Sequence, residues 1–303
     1  MGLYVTLRVG LIGLSEGNGH PYSWAAICNG YSPEHMEACE FPMIPRYLEE
    51  QPWPEARIPG VEVTCIWTQD SNLSMRIAKA SRIAHVVDDP TMMMGRIDAL
   101  LLARDDADNH LAFAAPFLEA GIPVYIDKPV AVSLNNMNEL YRRQRYDGQI
   151  FTCSALRYAK EFTLSSLDRE RLGKIKHLQA TTPKSWEKYA LHIIEPTVQI
   201  AESSADLSTA SVRVISKTGR AVSIAFHNGI TADLNAFGYD AAAPLSIRIY
   251  GELSWHDLLF KDSFSAFKSA LIDFFDGIRT KTCRSSIEFN SQAISILELG
   301  FRM

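Results

Sequence analysis

The stretch from residue 97 to 129 constrains the fold more than any other part of the chain. An apolar run of strand length, Ile97-Asp98-Ala99-Leu100-Leu101-Leu102-Ala103, leads into a polar loop over 104–110. A helix-length segment, a turn at Gly121 and a second apolar strand, Ile122-Pro123-Val124-Tyr125-Ile126, follow. Strand, helix and strand in that order form the unit from which parallel sheets are built. Ligands meet such sheets at the carboxyl ends of the strands. The triplet Asp127-Lys128-Pro129 comes directly after the second strand, so Lys128 is delivered to that edge and is a candidate catalytic group.

Upstream, residues 7–14 read as a buried first strand ending in glycine. Ser15-Glu16-Gly17-Asn18-Gly19-His20-Pro21 comes next, and Pro21 suits the start of a helix over 22–29. This is the order a phosphate-binding turn requires. A helix N-terminus offers N–H groups and a positive dipole end, and glycine lets the backbone approach the ligand. Gly13, Ser15, Gly17, Gly19 and His20 are therefore candidate cofactor contacts. Their spacing departs from the strict G-x-G-x-x-G fingerprint, so a purely structural turn stands as the alternative. A strand over 61–68 closes with Gln69-Asp70. An acid there can hold the adenosine ribose of a dinucleotide, or it can cap the helix expected over 73–81.

Between these elements, residues 30–60 hold six of the fourteen prolines and the aromatics Tyr47 and Trp53. The segment reads as an ordered surface insertion with neither a regular helix nor a central strand, and with both aromatics exposed. Beyond the 97–129 unit, a helix over 134–145 and a strand over 149–156 complete a first domain, 1–156. In the second, 157–303, short strands over 176–182, 211–216, 222–227, 231–237 and 245–251 do not alternate with long helices. That pattern predicts an α+β domain with an antiparallel sheet. An amphipathic helix is expected over 264–278, its aromatic stripe facing the core.

A net charge of −5 over 303 residues, with Lys and Arg scattered, argues against nucleic acid or an anionic membrane as partner. Five cysteines without C-x-x-C spacing fit neither a disulfide framework nor a zinc site, so no metal is expected and a reducing cytoplasm is. No apolar run approaches the roughly 18 residues of a membrane span. Met1-Gly2 with Thr6 matches a myristoylation pattern, against which stands the strand that follows directly.

The runs Asp98-Ala99-Leu100-Leu101-Leu102-Ala103, with His110 beyond it, and Ala120-Gly121-Ile122-Pro123-Val124-Tyr125-Ile126-Asp127-Lys128-Pro129 resemble the Gfo/Idh/MocA family, the glucose-fructose oxidoreductases and inositol dehydrogenases. That family carries Glu-Lys-Pro after its fifth strand, and Asp127 here replaces the glutamate. It also places an acid four residues before a histidine and another acid three after it. His192 and Glu195 match that spacing, whereas Lys188 stands where the first acid is expected. The resemblance implies an α/β Rossmann domain with a parallel sheet, joined to an α+β domain with an open antiparallel sheet. It further implies NAD(P) in the first domain, a sugar-like substrate between the two, and a homodimer or homotetramer built on the open sheet face.

Oxidising a secondary hydroxyl sends a hydride to the nicotinamide while a base takes the proton. Imidazole is suited to that near neutral pH, which assigns His192 as base, with Lys128 hydrogen-bonding the same hydroxyl. Offsets of four and three put Lys188, His192 and Glu195 on one helical face. Glu195 then orients the substrate-binding site or caps a turn before Pro196; Lys188 binds an anionic group or is simply a solvated lysine. His110 lies beside the nicotinamide or starts a helix, and Asp127 pins Lys128 or makes a turn contact. Asp70 without a following arginine favours NAD over NADP. The rivals to a dehydrogenase are an NAD(P)-binding protein without turnover and a non-redox enzyme that uses NAD transiently.

Overall fold

Residues 99–102 are Ala-Leu-Leu-Leu, each fully buried. A strand buried on both faces must be apolar throughout, and each such leucine contributes about 2 kcal/mol of burial. In the computed structural model, which describes residues 5–301, this strand, β4 (Ala99–Leu102), lies inside a six-stranded sheet. Its other members are β1 (Leu7–Ile12), β2 (Val61–Trp67), β3 (His85–Val86), β5 (Val124–Ile126) and β6 (Ile150–Phe151). The order is β3-β2-β1-β4-β5-β6 and every pairing is parallel, with Val9 opposite Val63 and Ala99, and Leu100 opposite Val124. The strand order reverses between β1 and β4, which is where dinucleotides bind in such sheets. The Met1-Gly2 pattern lies outside the described residues.

The connecting helices of this unit include α1 (His20–Asn29), α2 (Pro33–Met36), α3 (Met43–Glu49), α4 (Ser71–Ala80) and α5 (His110–Glu119). Two of them correct the reading of the proline-rich insertion. Pro33 sits in the first turn of α2, and Pro42 and Pro45 are at the cap and third position of α3, where an amide has no intrahelical acceptor to lose. Met36, Ile44 and Leu48 are buried beneath it. Tyr47 and Trp53 are not exposed but half-buried. The Tyr47 hydroxyl donates to Ser23 Oγ at 2.6 Å, and Trp53 Nε1 donates to the Leu48 carbonyl at 2.7 Å.

The second sheet combines β7 (Ile175–Thr182), β8 (Ala205–Val214), β9 (Arg220–Phe226), β10 (Thr231–Ala236), β11 (Ser246–Gly251) and β12 (Trp255–Leu259), ordered β12-β11-β7-β10-β9-β8. It is mostly antiparallel as expected, although β7 and β10 pair in parallel, which makes it mixed. Its remaining helices, after α6 (Leu134–Tyr141), are α7 (Ser166–Leu172), α8 (Trp186–Tyr189), α9 (Leu191–Ala201), α10 (Ser263–Thr280) and α11 (Ile287–Leu299). Helix α9 packs on β7, β10 and β11, burying Leu178, Ala180, Ala232, Leu234, Ile247 and Ile249. The other face is polar: Thr181 Oγ1 meets Ser246 Oγ at 2.9 Å, and Ser223 Oγ donates to Asp233 at 2.5 Å.

The two compact units are not contiguous stretches of chain. One holds residues up to Val130, Asn138–Thr152 and Ala270–Ser285; the other holds Ala131–Met137, Cys153–Ser269 and the chain from Ser286. The later half of α10 thus belongs with the parallel sheet, where Phe274 packs on Tyr125 at 5.6 Å between ring centroids. Among the described residues no helix is long and apolar enough to cross a membrane.

Candidate active site

Parallel register brings the carboxyl ends of β1, β2, β4 and β5 to one edge, and with them Gly13, Gln69, Arg104 and Asp127. The turn after β1 is fastened there by neighbours that carry no motif. Gln69 brackets Leu14, donating from Nε2 to its carbonyl at 2.7 Å and accepting its N–H at 3.2 Å. Arg104 Nη1 donates to the Leu14 carbonyl at 3.2 Å and to Gln69 Oε1 at 3.0 Å, while its other edge pairs with Asp106 at 2.6 and 2.9 Å. Across the switch point the Ser15 hydroxyl donates to Asp105 Oδ1 at 2.5 Å and accepts the Asp105 N–H at 2.9 Å.

The glycines of this turn divide into two kinds. A Cβ on Gly13 would lie 2.5 Å from Pro21, and one on Gly19 would lie 2.5–2.9 Å from Ile44 and Phe41, so both serve close packing. Gly17 has φ +77°, is exposed, and has nothing within 4 Å of an added Cβ. The backbone amides of Ser15 and Gly17 donate to no described residue. Open backbone at a switch point, with two such donors, fits the pyrophosphate of a dinucleotide. Helix α1 adds less than its position suggests: the His20 N–H is taken by Asn18 Oδ1 at 2.8 Å, Pro21 has none, and the Tyr22 N–H bonds to the Gly19 carbonyl at 3.1 Å.

Asp127 and Lys128, just past β5, are 1% and 5% exposed. Asp127 Oδ1 accepts the Lys128 N–H at 2.7 Å; Oδ2 accepts from Asn18 Nδ2 at 2.8 Å and faces His20 Nδ1 at 2.5 Å. Burial pushes this carboxyl up, but His20, Lys128 and Asn18 outweigh it and hold the group below the usual carboxylate range. Asp127 is thus an ionised anchor for the backbone that carries Lys128. His20, a candidate beside the phosphate turn, has its Nδ1 on Asp127.

Two further candidates stand at helix starts. Asp70, exposed at the end of β2, caps α4 by accepting the Asn72 N–H at 2.9 Å. His110 opens α5 and is 1% exposed, with Nε2 2.8 Å from the Arg104 carbonyl and Nδ1 3.1 Å from that of Val130. It ties together the chain segments that follow β4 and β5.

In the other unit Lys188 lies in α8 and is half-buried, while His192 and Glu195 lie in α9, beyond a helical Ala190. There is no turn before Pro196: the helix runs through it, and the proline withholds the amide that His192's carbonyl would otherwise accept. His192 Nδ1 meets Ser154 Oγ at 2.8 Å, and its ring stands edge-on to Tyr189 at 5.1 Å. Glu195, 4% exposed, accepts the Ser154 N–H at 2.8 Å and lies 3.7 Å from Arg157. One buried carboxylate therefore fixes the backbone of the residue whose hydroxyl holds His192. Ser154 and Arg157 carry no motif, and nothing in the sequence singles them out. Asn18, Gln69, Arg104 and Asp105 escape sequence reasoning in the same way.

A six-stranded parallel sheet in this order, with an open glycine turn at its reversal, defines a dinucleotide-binding Rossmann unit. Residues 7–154 match the model of the Gfo/Idh/MocA family, described as an oxidoreductase family with an NAD-binding Rossmann fold. Residues 7–154 thus carry the NAD-binding Rossmann fold of that oxidoreductase family. No curated protein matches it in sequence. Among solved structures it is similar to a probable dehydrogenase from Thermotoga maritima, with TM-score 0.72, 12% identity, and 96% of this chain and 94% of that one covered. A putative myo-inositol dehydrogenase from Sinorhizobium meliloti gives TM-score 0.72 at 12% identity, covering 98% and 97%. The myo-inositol dehydrogenase from Lactobacillus casei, solved with NAD(H) and myo-inositol, gives TM-score 0.71 at 13% identity, covering 98% and 93%. At these identities the likeness is one of fold.

Proposed function

We propose that the protein transfers a hydride between a secondary hydroxyl of a sugar, nucleotide sugar or cyclitol and the nicotinamide of NAD. The observation that carries this reading is Lys128, buried at the carboxyl end of β5 on a carboxylate-anchored backbone, in a sheet of the NAD-binding family. The myo-inositol bound to the similar Lactobacillus casei enzyme supports the substrate class.

The nicotinamide, when bound, accepts the hydride. The chain's own residues then divide the remaining work. Ser15 and Gly17 receive the pyrophosphate, in a turn whose close packing Gly13 and Gly19 allow, with Asp70 toward the adenosine ribose; that acid, with Ser71 rather than arginine after it, favours NAD over NADP. Lys128 donates a hydrogen bond to the substrate oxygen and stabilises the developing alkoxide. His192 takes the hydroxyl proton at Nε2 while Ser154 holds Nδ1. Lys188 stands toward an anionic group on the substrate.

One observation favours a rival without turnover: Lys188 stands where the family places the first acid of its substrate-side trio. Calorimetric titration with NAD and NADP, followed by the absorbance of reduced nicotinamide over a panel of cyclitols and nucleotide sugars, separates the readings. NAD binding with turnover of one panel member supports the dehydrogenase. Binding without turnover on any supports the rival, and no binding removes both. The assembly belonging to this reading is a homodimer or homotetramer on the open face of the second sheet. Its compartment is the cytoplasm, in keeping with five cysteines that lack C-x-x-C spacing.

A further inference from the structure

Asp127 is one methylene shorter than the glutamate its position resembles, and two residues from the glycine-rich turn reach across to meet it. Asn18, 4% exposed, donates from Nδ2 to Asp127 Oδ2 at 2.8 Å, and its own Oδ1 accepts the His20 N–H at 2.8 Å. A single amide side chain thereby fixes both the carboxylate and the residue that approaches the same oxygen. His20 Nδ1 stands 2.5 Å from Oδ2, and since an ionised carboxylate only accepts, that nitrogen carries the proton.

The imidazole plane is fixed from the side as well. It stacks on Trp24 at 5.0 Å and 14°, and Trp24, 1% exposed, stacks on Tyr125 of β5 at 4.6 Å. His20 is therefore held between the turn and the strand that carries Lys128, with its Nδ1 directed at the acid and not at the open backbone of Gly17. A carboxylate that is 1% exposed needs every partner it has, because an uncompensated buried charge is strongly destabilising. Its other oxygen holds the Lys128 N–H, so a shift of Asp127 is a shift of the lysine's backbone.

We propose that His20 is a positioning residue for Lys128, acting through Asp127, and not a ligand of the cofactor's phosphate. This rests on the reading of Lys128 as the group that meets the substrate oxygen. It also divides the turn between two functions. The first part, through Gly17, faces the cofactor, and the last part, Asn18 to His20, aligns the lysine.

The test uses the full chain with His20→Gln, which keeps a donor, and His20→Phe, which keeps the stacking but none. Three readouts are taken: the NAD dissociation constant by calorimetry, kcat and KM on the panel member that the wild type turns over, and the rate of reductive methylation of Lys128 by mass spectrometry, with the other lysines as internal controls. Misplacing a reacting group by about 1 Å lowers turnover on the order of 100-fold. The expected result for His20→Phe is a loss in kcat of that order, an NAD dissociation constant within about twofold of wild type, and an altered methylation rate at Lys128 alone, with His20→Gln restoring part of each. A weakened NAD affinity with kcat and Lys128 reactivity unchanged would overturn the proposal in favour of a phosphate contact. An unaltered Lys128 methylation rate in both variants would overturn it too, and that readout needs neither cofactor nor substrate. Failure of the wild type to bind NAD would instead strike the proposed function, leaving the methylation result to judge His20.

Discussion

Replacing Glu195 with glutamine leaves an acceptor for the Ser154 N–H but removes the charge facing Arg157. Both side chains of that pair are buried, at 10% and 5% exposure, with 3.7 Å between Nη1 and Oε2. Burial alone would lower the guanidinium's affinity for its proton; Glu195, Cys153 and Tyr158 outweigh it and raise that affinity. Breaking a buried pair from one side typically costs about 3–5 kcal/mol. The long contact and the ring faces of Tyr158 and Phe289 beneath the guanidinium, at 5.2 and 4.8 Å, point to the lower end. A loss of about 3 kcal/mol lowers the melting temperature of a unit this size by roughly 6–12 °C. Arg157→Met removes the orphaned charge while keeping much of the side chain's bulk. The Glu195→Gln/Arg157→Met double variant is therefore expected to melt above Glu195→Gln alone, with a coupling of about 1–3 kcal/mol in a double-mutant cycle by urea unfolding. Additive single effects, or a Glu195→Gln protein as stable as wild type, would refute the view of Glu195 as a structural anchor and return it to the substrate.

Ser154→Ala removes the hydroxyl on His192 Nδ1 and the cap on Leu156, so stability should fall by about 1–2 kcal/mol by thermal melting while kcat drops well beyond what that loss explains. Gly19→Ala drives a Cβ into Phe41 and Ile44 and should lower stability by about 1–3 kcal/mol in urea titrations. Asp127 has its folded pKa depressed, so its contribution is present above the unfolded value of about 3.9 and is lost as pH falls through the folded one. Asp127→Asn should accordingly be less stable than wild type at neutral pH, with the difference closing in acid melts.

Legibility in the sequence follows locality. The β4–α5–β5 unit is readable because strands buried on both faces are continuously apolar, and Asp127 and Lys128 follow the second strand directly. The glycine turn is readable as a turn, but not which glycine faces solvent, since Gly13 and Gly19 are required by Pro21, Phe41 and Ile44, neighbours set by the tertiary fold. Counting prolines without their positions in α2 and α3 makes the insertion look devoid of regular helix. Strand β12 escapes because, as an edge strand, it buries only Leu258 and shows no alternation. The short β3, both residues exposed, and helix α11 are missed as well. The site's supports are invisible for a different reason. Asn18 meets Asp127 across 109 positions and Ser154 meets His192 across 38, and such pairs leave no period in the sequence.

The central claim, that a dinucleotide docks on the β1 turn while Lys128 acts on the substrate, meets its most direct test in a Lys128→Met protein. NAD affinity by calorimetry should match wild type, while turnover on the substrate that the wild type accepts should fall by a factor on the order of 100 to 10,000. Full turnover by Lys128→Met, with NAD still bound, would contradict the account.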